Sequence, residues 1–148
     1  MSTYKRIVLA YDGTESGQKA LLDCNEVVQW THAQLWLVAV MPLTATDFIG
    51  LDPSFRAPEL EAIEKTRYQA LLADGLERLT SAGCVASGEL LVGESVYEIA
   101  KFAREVDADL IVVGHKHLDS WAARCWRGST SGKLIEQAPC SVLYVISP

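Results

Sequence analysis

No apolar run in these 148 residues approaches the roughly 18 that a membrane-spanning helix needs. The opening, Met1 to Arg6, lacks the apolar core and small-residue cleavage site of a secretory signal. Both absences lead us to expect a cytoplasmic protein with no membrane partner. The four cysteines, Cys24, Cys84, Cys125 and Cys140, contain no C-x-x-C pair, so free thiols are expected. Cys24 and Cys140 fall within apolar patterns, which predicts core positions. No internal repeat or low-complexity stretch is present. The common nucleotide and nucleophile signatures are missing too: there is no G-x-G-x-x-G and no G-x-S-x-G. Gly128 to Lys133 comes near a phosphate loop, but its glycines stand one residue too close. Leu134 also occupies the place of the magnesium-binding hydroxyl. A P-loop NTPase is excluded.

What remains is an ordered globular composition, 49% hydrophobic and 22% charged. One domain over 1–148 is expected, long enough for a full core. The net charge of −6 argues against a general nucleic-acid partner. That charge is uneven. Residues 114–133 carry Lys116, Arg124, Arg127 and Lys133 against Asp119 alone, a local +3 that leaves −9 for the rest. A basic loop on an acidic chain suits a small anion such as a phosphate chain, although a plainly solvated loop has the same composition.

In chain order, residues 5–11 form a consecutive apolar strand, the pattern of a strand covered on both faces. Asp12-Gly13 breaks it. Residues 15–31 place Ala20, Leu21, Cys24, Val27 and Val28 on one helical face, with Thr14 or Ser16 as cap. Residues 35–41 are a second buried strand, and 43–57 a long connection containing Phe48, Ile49 and Phe55. A helix from Pro58 to Ala82 carries an apolar stripe through Leu60, Ile63, Tyr68, Leu72, Leu76 and Leu79, with Gly83 as its C-cap. A weaker strand spans 85–92. Ser95 to Glu98 is a capping-box pattern opening a helix whose apolar face is Val96, Ile99, Ala100 and Ala103. Residues 109–113 form a fourth strand, 129–137 a helix and 142–146 a last strand. Helices between apolar strands imply parallel pairing with right-handed crossovers. The prediction is an α/β fold: an open five-stranded parallel sheet with helices on both faces.

Such sheets bind ligands at the carboxyl ends of strands, where strand order reverses. With order 3-2-1-4-5 the reversal lies between strands one and four. It brings Tyr11, Asp12 and Gly13 beside Val113 and Gly114. Asp12 then accepts hydrogen bonds from a base or ribose, and Gly114 leaves room for close approach. At the far end of the basic loop, Gly128, Ser129 and Thr130 offer backbone N–H groups, hydroxyls and a helix start to phosphates. Lys116, Arg124 and Arg127 assist. His115, His117 and Asp119 alternate, so a metal site with Cys125 is one reading. Contact of the histidines with phosphate, a partner or the loop's own backbone is the other. No grouping is identifiable as catalytic.

These residues together resemble the universal stress protein family over essentially the whole chain. The likeness rests on Ile7 to Ser16, the Val92-Gly93-Glu94 turn, Ala108 to Gly114, and Gly128-Ser129-Thr130 through Ala138 to Leu143. The resemblance implies the 3-2-1-4-5 sheet, a homodimer through the last strand (Val142, Leu143, Tyr144, Val145, Ile146), and a subgroup that binds ATP. It places the acidic residue at Asp12 and an adenine contact at Val40. The ATP pattern is not intact, however. His117 stands where a second glycine belongs, and ten residues, one more than the pattern has, separate it from Gly128. Trp121, Trp126 and Leu118 make the loop apolar. Two functions stay open: a small stress-response protein binding ATP, with or without magnesium, and a dimeric interaction protein that has lost the nucleotide. Slow nucleotide hydrolysis is a third, with little in the sequence behind it.

Overall fold

The computed structural model describes residues 4–13, 15–42, 57–116 and 130–147. Among the described residues five strands, β1 (Arg6–Ala10), β2 (Gln34–Met41), β3 (Ala86–Val92), β4 (Leu110–Lys116) and β5 (Ser141–Ser147), alternate with four helices. The helices are α1 (Glu15–Thr31), α2 (Ala57–Ser81), α3 (Ser95–Glu105) and α4 (Thr130–Gln137). All strand pairs are parallel, in the order β3-β2-β1-β4-β5. The predicted sheet is therefore the observed one.

The consecutive apolar runs have the predicted cause. Ile7, Val8 and Leu9 are each 0% exposed, which requires cover on both faces of β1. Successive residues alternate between two cores. Ile7, Leu9, Leu35, Leu37, Leu110 and Val112 face α1 and α2, meeting Ala20, Leu21, Cys24 and Leu79. Val8, Trp36, Val38 and Ile111 face the other way, meeting Val96, Ile99, Phe102 and Ala103 of α3 and Leu134 of α4. The α2 helix lies close because Gly75 has no side chain. A Cβ there would stand 2.7 Å from Leu37 Cδ2 and 2.9 Å from the Tyr11 ring.

Three local expectations change. First, β4 runs on to Lys116, so Gly114, His115 and Lys116 belong to a strand rather than the loop; they pair with Val145, Ile146 and Ser147. Second, the N-cap of α3 is Glu94, not Ser95: its carboxylate accepts from the N–H groups of Val96 (3.1 Å) and Tyr97 (2.7 Å). An acid at this place both satisfies orphan N–H groups and complements the helix dipole. Third, Ile63 is exposed rather than part of the apolar stripe of α2. With 25 residues, α2 is about 37 Å long, whereas the eight residues of β2 span only about 26 Å. Its first turns therefore overhang the carboxyl end of the sheet. The connection 43–56 and the cap Thr14 lie outside the described residues.

At the opposite, amino end, the chain closes on itself. Asp109 accepts from the backbone N–H groups of Lys5 (2.9 Å) and Arg6 (3.1 Å), and its own N–H donates to the Arg6 carbonyl at 2.9 Å. The Arg6 guanidinium lies 5.0 Å from the Trp36 ring centroid and donates to the Val106 carbonyl.

Candidate functional site

The end of β1 sets the site. Tyr11 follows the last residue of β1, yet its N–H still donates to the Val38 carbonyl at 2.9 Å, so it stays in the plane of the sheet. Gly13, at φ +77°, then turns the chain into α1. This is a left-handed conformation that glycine takes without Cβ strain. A Cβ would also meet Leu71 Cδ1 at 3.0 Å. Asp12, between them, is exposed at the mouth.

Between the carboxyl ends of β1 and β4 opens a cavity of about 290 Å³. Its floor is Ala10, Tyr11 and Asp12 from the β1 end, Val38 and Val40 from β2, and Val113 and Gly114 from β4. Gly17 of α1 borders it, Arg67, Tyr68 and Leu71 of α2 form one wall, and Ser95 and Ile99 of α3 another. The size lies at the small end of ligand pockets, which are typically about 300–1,000 Å³. The lining has the usual make-up of such a site, mostly apolar with a few polar groups.

Of the sequence-predicted site residues, the structure brings Tyr11, Asp12, Val40, Val113 and Gly114 to this one cavity. Gly13 lies behind Asp12, against Leu71. Thr130 is the first residue of α4. His117, Arg127, Gly128 and Ser129 lie outside the described residues, as do Arg124, Asp119 and Cys125. Among the described residues no three metal-ligating side chains come together.

The residues that sequence reasoning missed come chiefly from α2 and α3. Arg67 and Tyr68 reach the cavity through the overhang of α2. The length of that helix relative to β2 was the available signal. Ser95 reaches it because Glu94 has taken over the capping. Val38 shares a strand face with Val40, two residues on, and was accessible by parity alone.

Electrostatically, the lining holds an acid, Asp12, and a cation, Arg67. Tyr11 is 3% exposed and its hydroxyl donates to Asp74 Oδ2 at 3.3 Å. Burial pushes its phenol pKa up, and the nearby Asp74 charge and this hydrogen bond add to the rise. Tyr11 therefore stays neutral, a fixed apolar wall with its polar tip held away on α2. Arg78 Nε donates to the same Asp74 oxygen at 2.9 Å. The described lining offers a carboxylate acceptor at Asp12 and an apolar face at Val38, Val40 and Val113.

An open parallel sheet with a cavity at its reversal point defines a class, the doubly wound α/β proteins. Comparison with known proteins narrows it. Residues 3–145 match the model of the universal stress protein family, and the chain belongs to that family. A universal stress protein from Thermus aquaticus is 33% identical over 146 residues, covering 96% of this chain and 98% of that one. Among solved structures, a universal stress protein family member from Burkholderia pseudomallei is 26% identical with a TM-score of 0.74, covering 98% of each chain. A universal stress protein solved in complex with cAMP has a TM-score of 0.72 at 22% identity, covering 99% of this chain and 100% of that one. One from Arabidopsis thaliana, with AMP bound, has a TM-score of 0.67 at 18% identity, covering 97% and 92%.

No helix among the described residues is long and apolar enough to cross a membrane. In β5, an edge strand, Val145 is buried, Val142 and Tyr144 are half-buried and Leu143 is 39% exposed.

Proposed function

We propose that this chain is a cytoplasmic stress-response protein that binds an adenine nucleotide in the cavity between β1 and β4. The observation that carries this is the meeting there of Tyr11, Asp12, Val40, Val113 and Gly114, five residues chosen from sequence for that role. In this reading Asp12 accepts from ribose or base donors. Val38, Val40 and Val113 give the base an apolar bed, and Gly114 admits the sugar-phosphate backbone. His117, Arg127, Gly128, Ser129 and Thr130 are proposed to reach the phosphates, with ATP as the ligand that the family pattern favours. Relatives solved with cAMP and with AMP support an adenine nucleotide in this fold. Calorimetric titration with ATP and magnesium, and separately with AMP, tests it. Saturable binding of one ligand per chain is expected, and no heat with either up to about 1 mM, a binding free energy of only about −4 kcal/mol, defeats it.

The altered spacing at His117 favours a second reading, in which the protein acts through a partner surface without a nucleotide. Co-purification of AMP, ADP or ATP through gel filtration is incompatible with it. In both readings we propose a homodimer paired through β5, whose outer edge and exposed Leu143 invite a second copy. A light-scattering mass of 16.2 kDa, rather than twice that, contradicts the dimer.

A further inference from the structure

We propose that Arg67, supported by Tyr68, reads the anionic group of the ligand from α2, alongside the residues proposed above for the phosphates. This rests on the nucleotide reading above and specifies how the site selects a nucleoside phosphate over a nucleoside.

Three observations carry it. The first is position. Glu64, Tyr68 and Leu71 recur at helical spacing on α2, and Arg67 flanks that row where the helix overhangs the sheet. Arg67, Tyr68 and Leu71 thus face Asp12 and Gly114 across the cavity. Among the described residues the lining pairs one acid with one cation, and a nucleoside phosphate is complementary to that pair: neutral hydroxyl and amino donors for Asp12, an anion for Arg67.

The second is availability. Arg67 Nη1 meets Glu64 Oε2 at 3.5 Å, and the two side chains are 66% and 38% exposed. A long, solvated pair of this kind is worth well under about 1 kcal/mol, so an incoming phosphate displaces Glu64 at little cost. A guanidinium binds a phosphate bidentately and more strongly than it holds such a pair. Its carbon lies 5.6 Å from the Tyr68 ring centroid, close enough for the aromatic face to hold it in place when Glu64 lets go.

The third is the closure of one competing site. A helix start attracts anions through its exposed N–H groups, and α3 begins at Ser95 on the cavity wall. Its N–H groups at Val96 and Tyr97 are already taken by the Glu94 carboxylate, which also places negative charge there. A phosphate is repelled from α3 and directed toward α2, where Arg67 meets it.

The test is calorimetry with adenosine and AMP on wild-type protein, Arg67→Gln and Arg67→Lys, at two salt concentrations. We expect Arg67→Gln to weaken AMP binding roughly tenfold, the scale of one charge-assisted contact, while adenosine affinity changes less than twofold. Arg67→Lys recovers part of the loss, and salt weakens AMP but not adenosine in the wild type. If the wild type binds AMP and Arg67→Gln binds it equally well, the anion lies elsewhere and this inference falls alone. An equal loss for adenosine and AMP makes Arg67 merely structural and also overturns it. If the wild type binds neither ligand, the nucleotide reading falls and takes this inference with it. Arg67 is exposed, so an unchanged urea midpoint for Arg67→Gln checks that the fold is intact.

Discussion

The two ends of the sheet are built from the same kinds of side chain and do opposite things. At the amino end Asp109 is consumed by the backbone N–H groups of Lys5 and Arg6, and Arg6 lies over Trp36. At the carboxyl end Asp12 and Arg67 stand across a cavity. An aspartate beside an arginine is therefore no mark of a site by itself. What separates the ends is where the chain turns. At the amino end Asp109 N donates to Arg6 O and Gln34 N to Lys5 O, which draws the strand starts together. At the carboxyl end β1 leads into α1 on one face while β4 leads toward α4 on the other. The divergence of those connections leaves the gap.

This contrast can be broken by substitution. The largest effect belongs to the amino end. Asp109→Ala removes the carboxylate that accepts from the exposed Lys5 and part-buried Arg6 N–H groups, so we expect a loss of about 2 kcal/mol in urea unfolding, the scale of hydrogen bonds to a charged group, with nucleotide affinity changed less than twofold. A large affinity loss from Asp109→Ala would show that the two ends are not separable. Next in size is Asp12→Ala at the carboxyl end. Here the expected pattern inverts, with roughly tenfold weaker nucleotide binding and an unfolding midpoint within error of wild type. Stability that falls with Asp12 as it does with Asp109 would erase the distinction.

The smallest effect probes the core between the ends. Burial, and secondarily the neighbouring Cys84, push the Cys24 thiol from its ordinary 9.0 up to about 12. The fold therefore favours the protonated thiol. That contribution is fully present below pH 9 and is lost as pH rises toward about 12. Between pH 9 and 10 the loss is about 1 kcal/mol. In Cys24→Ala the decline over that interval is expected to be shallower, whereas Asp12→Ala and Asp109→Ala keep the wild-type slope. An unchanged slope in Cys24→Ala removes Cys24 from the account.

Much of this was legible in the sequence. Continuous apolar runs at Ile7 to Leu9 and Leu110 to Val113 announced strands covered on both faces, and Asp12-Gly13 announced the break that forms the cavity's lip. The end of β4 was not legible. Gly114, His115 and Lys116 look like loop, and only pairing with β5 extends the strand through them. The cap of α3 was misplaced by one residue: the capping-box pattern pointed to Ser95, whereas the Glu94 carboxylate reaches the two N–H groups. Arg67 was invisible as a site residue because helical periodicity tells which face turns inward, not how far a helix projects past the strands it covers. Of the predicted metal reading only His115 is described, in β4; His117, Asp119 and Cys125, and the phosphate contacts from Arg127 to Ser129, lie outside the described residues.

The central claim is that the carboxyl-end cavity is a ligand site. A crystal structure of the protein grown with AMP tests it most directly. We predict density for the nucleotide between β1 and β4, with its ribose or base within hydrogen-bond distance of Asp12 and its phosphate at Arg67. A cavity filled instead by the protein's own loop, or empty at saturating AMP, would contradict the account.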